Sequence, residues 1–187
     1  MQLFFSSRFE LEHYTHYLQV LPDDHACQYC EQNDHWVSHG YVYKQCSIDQ
    51  REVVGKRILC SNRFQHRGCG RTRQLYLHDA LPGRRYSLHA LVAFILNLLN
   101  GLSVSRAYQC ATHVHSSRHA WRWLNDLFAQ LSHFRTLLCR LAPGEPSAAV
   151  FPLPPDRRLR ILLPTLQHLR KHFSLMDIQC HQQQPFF

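Results

Sequence analysis

The sequence has no long apolar run: the longest, Ala90 to Leu96, is seven residues, against the roughly 20 that a membrane-spanning helix needs. That excludes a helical span. The opening Met1-Gln2-Leu3-Phe4-Phe5 lacks the charged start and apolar core of a secretory signal. The chain is therefore expected inside the cell. Acidic residues are also scarce, 13 in 187. After residue 80 only Asp126, Glu145, Asp156 and Asp177 remain, and two of them flank a proline-rich stretch. Phosphoryl-transfer enzymes that use two metal ions hold them with clustered carboxylates. So few acids, so placed, exclude such a site.

Basic residues are plentiful, and they are concentrated. The formal net charge is +8. Residues 1–50 carry two basic and seven acidic groups. Residues 51–85 carry nine basic groups (Arg51, Lys56, Arg57, Arg63, Arg67, Arg71, Arg73, Arg84, Arg85) and two acidic ones. A belt of that density attracts a polyanion.

Eight cysteines are present, and four form pairs: Cys27-x-x-Cys30, and Cys60 with Cys69 after eight intervening residues. A Cys-x-x-Cys turn aims two thiolates at one point, and a second pair completes a tetrahedron around Zn2+. One structural zinc is expected, held by Cys27, Cys30, Cys60 and Cys69. The second pair is wide. His66, three residues before Cys69, is the alternate ligand, and His25, His35 and His39 are further candidates nearby. Such a site is closed and structural rather than catalytic. Cys46, Cys110, Cys139 and Cys180 are isolated and are expected to act as small apolar residues.

Around the cysteines, Trp36-Val37, Tyr41-Val42-Tyr43, Val53-Val54 and Ile58-Leu59 predict short strands joined by turns. Helical spacing begins at residue 86. Ser87 is an N-cap, and Leu88, Leu91, Val92, Ile95, Leu98 and Leu99 form an apolar face that Gly101 closes. Ser103 or Ser105 starts a short second helix. Ser116 starts a third, with Ala120, Leu124, Leu127 and Phe128 inward and Ser117, Arg118, Arg122 and Asn125 outward. A short helix between two longer ones suits a helix-turn-helix, whose last helix enters the major groove of DNA. Arg and Asn pair there with guanine and adenine. Phosphate contacts are expected from Arg57, Arg63, Arg67, Arg71, Arg73, Arg84 and Arg85.

Ala120, Leu124, Leu127, Leu131, Phe134, Leu138 and Leu141 alternate by four and three residues. This a/d seam packs either against other helices of the same chain or against a second copy, giving a homodimer. A last helix is expected near 157–176, kinked or restarted at Pro164, with Leu162, Leu166, Leu169, Phe173 and Met176 on one face.

The expected fold class is α+β. An N-terminal extension (1–24) precedes a zinc-ribbon β module (25–80). A helix-turn-helix helical domain (81–142), a Pro-rich linker (143–156), and a C-terminal helix and tail (157–187) follow.

Together Cys27-x-x-Cys30, Arg57-Ile58-Leu59-Cys60, Cys69-Gly70-Arg71-Thr72-Arg73-Gln74, Asn100-Gly101-Leu102-Ser103 and Arg106-Ala107 resemble the InsA type of insertion-sequence protein. The resemblance covers about residues 25–128. It implies a zinc ribbon coupled to a helix-turn-helix that binds transposon ends. The implied role is an accessory DNA-binding protein of a mobile element, without catalysis of its own. The implied partners are double-stranded DNA and proteins of a transposition or recombination complex, in a bacterial-type cytoplasm at the nucleoid. The acidic N-terminal segment and the C-terminal helix are the expected protein-contact surfaces. Two other readings compete. One is a zinc-ribbon transcription regulator. The other is an HNH-type zinc nuclease built on His35, His39 and His66. Tyr86 and Tyr108 are candidates for a covalent nucleophile.

Overall fold

The computed structural model describes residues 3–18, 26–141 and 156–172. His25, Cys180, the proline-rich stretch through Pro155, and Phe173 and Met176 lie outside the described residues. So does the side chain of Leu141. Among the described residues the fold is α+β, with one four-stranded sheet and six helices.

Ser38-His39-Gly40-Tyr41-Val42-Tyr43 and Val53-Val54-Gly55 supply strand formers interrupted by glycine. The structure does not break the strands there. It builds two ten-residue strands, β2 (Trp36–Gln45) and β3 (Arg51–Cys60). They pair antiparallel from Trp36↔Cys60 to Gln45↔Arg51. Gly40 is absorbed at a register shift, and Gly55 pairs with Val42 on one side and Tyr76 on the other. The short strands expected from the sequence are thus fused, because a bulge tolerates glycine where a turn would have ended the ladder. β4 (Thr72–Leu77) adds antiparallel to β3.

The N-terminal residues belong to this sheet. β1 (Leu3–Phe5) pairs parallel with β4, giving the order β1-β4-β3-β2. Ser7 then caps α1 (Arg8–His16) by accepting the Glu10 N–H at 3.2 Å. Glu10 returns the bond to the Ser6 N–H at 3.1 Å, a reciprocal cap. α1 buries Leu11 in a cluster with Trp36, Ile58, Leu75, Leu77, Cys27 and Cys60. On the opposite face Tyr76 joins Phe4, Val42, Val54 and Ala80, as strand alternation requires. Lys56 of β3 is buried, donates to Thr15 Oγ1 at 2.9 Å, and pairs with Glu12 of α1. The Tyr41 hydroxyl also donates to Glu12, at 2.8 Å. Glu12 of the acidic segment thus holds its own helix to the sheet.

The second half of the chain is helical: α2 (Leu88–Leu99), α3 (Val104–Thr112), α4 (Ser117–Ala129), α5 (Leu131–Leu141) and α6 (Arg157–His172). Ser87 precedes α2 but makes no side-chain cap bond. Ser103, not Ser105, caps α3, and Ser116 caps α4, each accepting an N–H three residues on at 3.4 Å. Gly101 has φ +84°, the left-handed conformation that ends a helix most cheaply at glycine. Tyr86, Phe94, Tyr108 and Trp123 stack edge to face at the centre, with Tyr108 and Trp123 centroids 5.1 Å apart.

The 4-3 seam does not run along one helix. Gln130 ends α4, and its own carbonyl accepts the Phe134 N–H at 3.0 Å as α5 begins. Ala120, Leu124, Leu127, Leu131, Phe134 and Leu138 are all buried in one core with residues of α2 and α6. The described part of the seam is covered within the chain. α6 runs unbroken past Pro164, and Leu159, Leu162, Leu163, Leu166 and Leu169 face the same core. That apolar face is likewise covered within the chain.

Candidate metal centre

Residues 27–32 fold as a knuckle. The Cys27 N–H donates to the Gln32 carbonyl at 3.0 Å, and the Glu31 N–H donates to the Cys27 carbonyl at 2.7 Å. Glu31 takes a left-handed φ of 60° to close it. The second pair needs more chain. After Cys60 ends β3, the Gly68 N–H bonds the Ser61 carbonyl at 2.7 Å and the Gly70 N–H bonds the Cys60 carbonyl at 2.8 Å. These bonds fold the loop back and set Cys69 against Cys60, with the Cys69 N–H donating to Cys60 Sγ at 3.4 Å. The residues between form a projecting loop, with Phe64 at 92% exposure and Arg63 and Arg67 exposed beside it. The wide Cys60–Cys69 spacing is therefore accommodated without a change of ligand.

The four thiols converge. Cys27 Sγ lies 3.6 Å from Cys69 Sγ, and Cys30 Sγ lies 3.5 Å from Cys60 Sγ. All four sulfurs sit within 4.8 Å of one another. A tetrahedron with metal–sulfur bonds of about 2.3 Å has sulfur–sulfur edges of about 3.8 Å. The same separations are far longer than the roughly 2.05 Å of a disulfide. The donor set thus fits a tetrahedral thiolate-binding ion and leaves no open position. Burial pushes the Cys60 thiol up to about 12 and raises Cys27 as well, while the Gln32 N–H holds Cys30 down at about 7. A bound cation would supply the charge that four crowded thiolates lack.

His66 is not part of this cluster; its ring packs on that of His35, with centroids 5.5 Å apart. His39 is exposed on β2. Among the described residues His35, His39 and His66 join no group of three metal donors. Cys110 and Cys139 are exposed and Cys46 is half-buried, and none of the three joins the four-thiol cluster.

Gly68 carries the fold of this centre. A Cβ there would clash with the Ser61 carbonyl oxygen and meet Cys60 Sγ at 2.6 Å. Neither atom can retreat without breaking the knuckle. Gly68→Ala is therefore expected to lower metal affinity at least tenfold and to cost about 1–3 kcal/mol of stability. Competition with a colorimetric chelator, beside a thermal melt, measures both.

The expected DNA contacts divide. Arg57, Arg63, Arg67, Ser117, Arg118 and Arg122 are exposed. Arg71 is exposed and stacks on Tyr29 at 4.0 Å, and Arg73 is half-buried on β4. Arg84 is tied to Asp126 at 2.7 Å, and Arg85 donates to Gln45. Arg158 takes the Asn125 side-chain oxygen at 2.5 Å and lies over Trp121. Arg84 and Asn125 thus already serve contacts inside the chain. Tyr86 and Tyr108 are core residues, 5% and 0% exposed, and burial raises Tyr108 to about 12. Neither is placed to act as a nucleophile.

Sequence reasoning missed a polar cavity of about 430 Å³ lined by Ser103, Ser105, Arg106, Gln109, His115, Ser116 and Ser117. The two serine caps were the available signal, but nothing in the spacing showed that they meet. No helix among the described residues is long and apolar enough to cross a membrane. No family model, curated protein or solved structure matches the chain.

Proposed function

We propose that this chain is an accessory DNA-binding protein of a mobile genetic element, acting without catalysis of its own. Its sheet module works as a zinc ribbon stabilised by Zn2+ on Cys27, Cys30, Cys60 and Cys69. Helices α2, α3 and α4 work as a helix-turn-helix. The observation that carries this reading is the shared cavity at the N-termini of α3 and α4. Helix N-termini present free N–H groups and partial positive charge, which suit a phosphate oxygen. Arg106 lines the same cavity, and Arg118 and Arg122 are exposed on α4 just beyond it. α4 has 13 residues, about 20 Å, enough to lie in a major groove. Arg63, Arg67 and Arg71 around the metal centre add sequence-independent grip. The mobile-element context comes from the likeness of the motifs to InsA-type proteins. The scarcity of carboxylates and the burial of Tyr86 and Tyr108 support a role without strand chemistry.

The test is fluorescence anisotropy with duplexes carrying the element's ends and with random duplexes. Binding should weaken with salt by about 0.9 log unit per log unit for each phosphate neutralised. Arg71→Ala and Arg73→Ala should weaken all duplexes alike. Arg118→Ala or Arg122→Ala should cost about 1–3 kcal/mol on the preferred site only. Absence of binding at low salt overturns the reading. Metal-dependent cleavage of the same duplex would instead establish a nuclease.

A further inference from the structure

A second group of donors lies where the sheet meets the helices. Glu52 stands at the start of β3, Asp79 follows β4, and His89 is in the first turn of α2. One ligand atom from each lies within 4.8 Å of the others. We propose that Glu52, Asp79 and His89 form a second metal site that takes a first-row divalent cation of the Mn2+ type, with water completing its coordination.

The distances suit it. His89 Nδ1 is 3.3 Å from Glu52 Oε1 and 3.9 Å from Asp79 Oδ2. Oxygen and nitrogen donors at about 2.1 Å from one ion are separated by about 3.0–3.4 Å in octahedral or tetrahedral geometry. The Glu52–His89 edge already falls in that range, the Asp79–His89 edge is about half an ångström longer, and all three donor atoms lie within 4.8 Å. A mixed set of two carboxylates and one imidazole suits Mn2+, Fe2+ or Zn2+ and disfavours a soft ion such as Cu+. Three protein ligands leave positions open, unlike the closed sulfur centre.

The site without an ion is poorly balanced. The Asp79 side chain is only 15% exposed, and its Oδ1 is buried with no hydrogen-bond partner. Burial, and then the Glu52 charge, push the Asp79 carboxyl above its ordinary range. His89 can give one proton to Glu52 or Asp79 but not to both from the same nitrogen. A divalent cation answers both carboxylates at once. The backbone is already set for it, because the Leu88 N–H donates to the Asp79 carbonyl at 2.8 Å and fixes the loop against α2. Binding would add a further link between α2 and the sheet, beside the Ser87 N–H bond to the Gln45 carbonyl at 3.0 Å.

Mn2+ is the probe because it disfavours the sulfur centre, so its uptake reports the oxygen and nitrogen donors. The full chain, loaded with one equivalent of zinc, is titrated with MnCl2, and free Mn2+ is read from its solution EPR signal. The expected result is one further equivalent bound, with a rise in melting temperature. His89→Ala and Asp79→Asn should each weaken Mn2+ binding more than tenfold and leave the zinc content at one. His89 is half exposed on its helix, so its replacement keeps the fold. Affinity should fall in acid, since protons compete for the same donors. No loss of the EPR signal up to millimolar Mn2+ overturns the proposal. Equal uptake by the wild type and both variants overturns it as well, because the ion is then held elsewhere.

Discussion

Cys60→Ser is expected to release the bound metal and unfold the sheet, while the helices remain. Cys60 is fully buried, and Cys27 and Cys60 share one cluster with Leu11, Trp36, Ile58 and Leu75. This cluster is small, and it is the one that joins α1, the knuckle and three strands. Its apolar area alone gives a module of this size little margin. A metal on the four thiols would supply the rest; in isolated zinc-finger peptides a structural zinc contributes about 10–16 kcal/mol, an upper bound for a centre that also has a sheet beneath it. Removing one ligand leaves three thiolates crowded around an ion they hold weakly. Strong chelation of the wild type should give the same state. The near-ultraviolet signal of Trp36 and one equivalent of zinc should be lost together. The far-ultraviolet helical signal should persist, because the core around Phe94, Tyr108 and Trp123 does not touch the centre. A Cys60→Ser protein with unchanged zinc content and melting temperature would remove the metal from the account of this fold.

What was legible in the sequence was local chemistry. Cys27-x-x-Cys30 is a short turn whose geometry is fixed by its own backbone. Ser103, Gly101 and Ser116 marked helix ends because caps act within one turn. The strands were harder. Gly40 and Gly55 look like punctuation, but Gly40 takes a φ of +113° at a register shift inside the ladder, and Gly55 lies against the backbone of Leu75. Cys60 and Cys69 could be paired only on the assumption that the loop returns, and Gly68 is what lets it do so. The group Glu52, Asp79 and His89 could not be read at all. Its members are scattered over two strands' ends and a helix, and no periodicity connects them. The role of residues 3–18 was also hidden. A three-residue strand has no pattern, and its parallel pairing to β4 is a long-range choice made by Leu75, Tyr76 and Leu77.

Leu138→Glu should unfold the helical unit instead of separating a dimer. A 4-3 apolar period states that a helix face packs on another helix; it does not state whose helix that is. Here Leu131 and Leu138 are each 8% exposed within a core shared with α2 and α6. Truncating a buried leucine costs about 2–5 kcal/mol. A carboxylate placed among those apolar side chains is desolvated, which adds several kcal/mol more unless it stays protonated. The sum rivals the whole stability of a domain, roughly 5–15 kcal/mol. Ser132→Glu and Arg135→Glu are exposed on the same helix and should leave the melting temperature within about 2 °C, since surface changes stay near 0.5 kcal/mol. Thermal melting at 222 nm with light scattering decides the matter. A folded Leu138→Glu monomer derived from a dimeric wild type would return the seam to an interface. Loss of helix with no folded intermediate follows if α5 closes on α6 of its own chain, because one buried face cannot serve two partners.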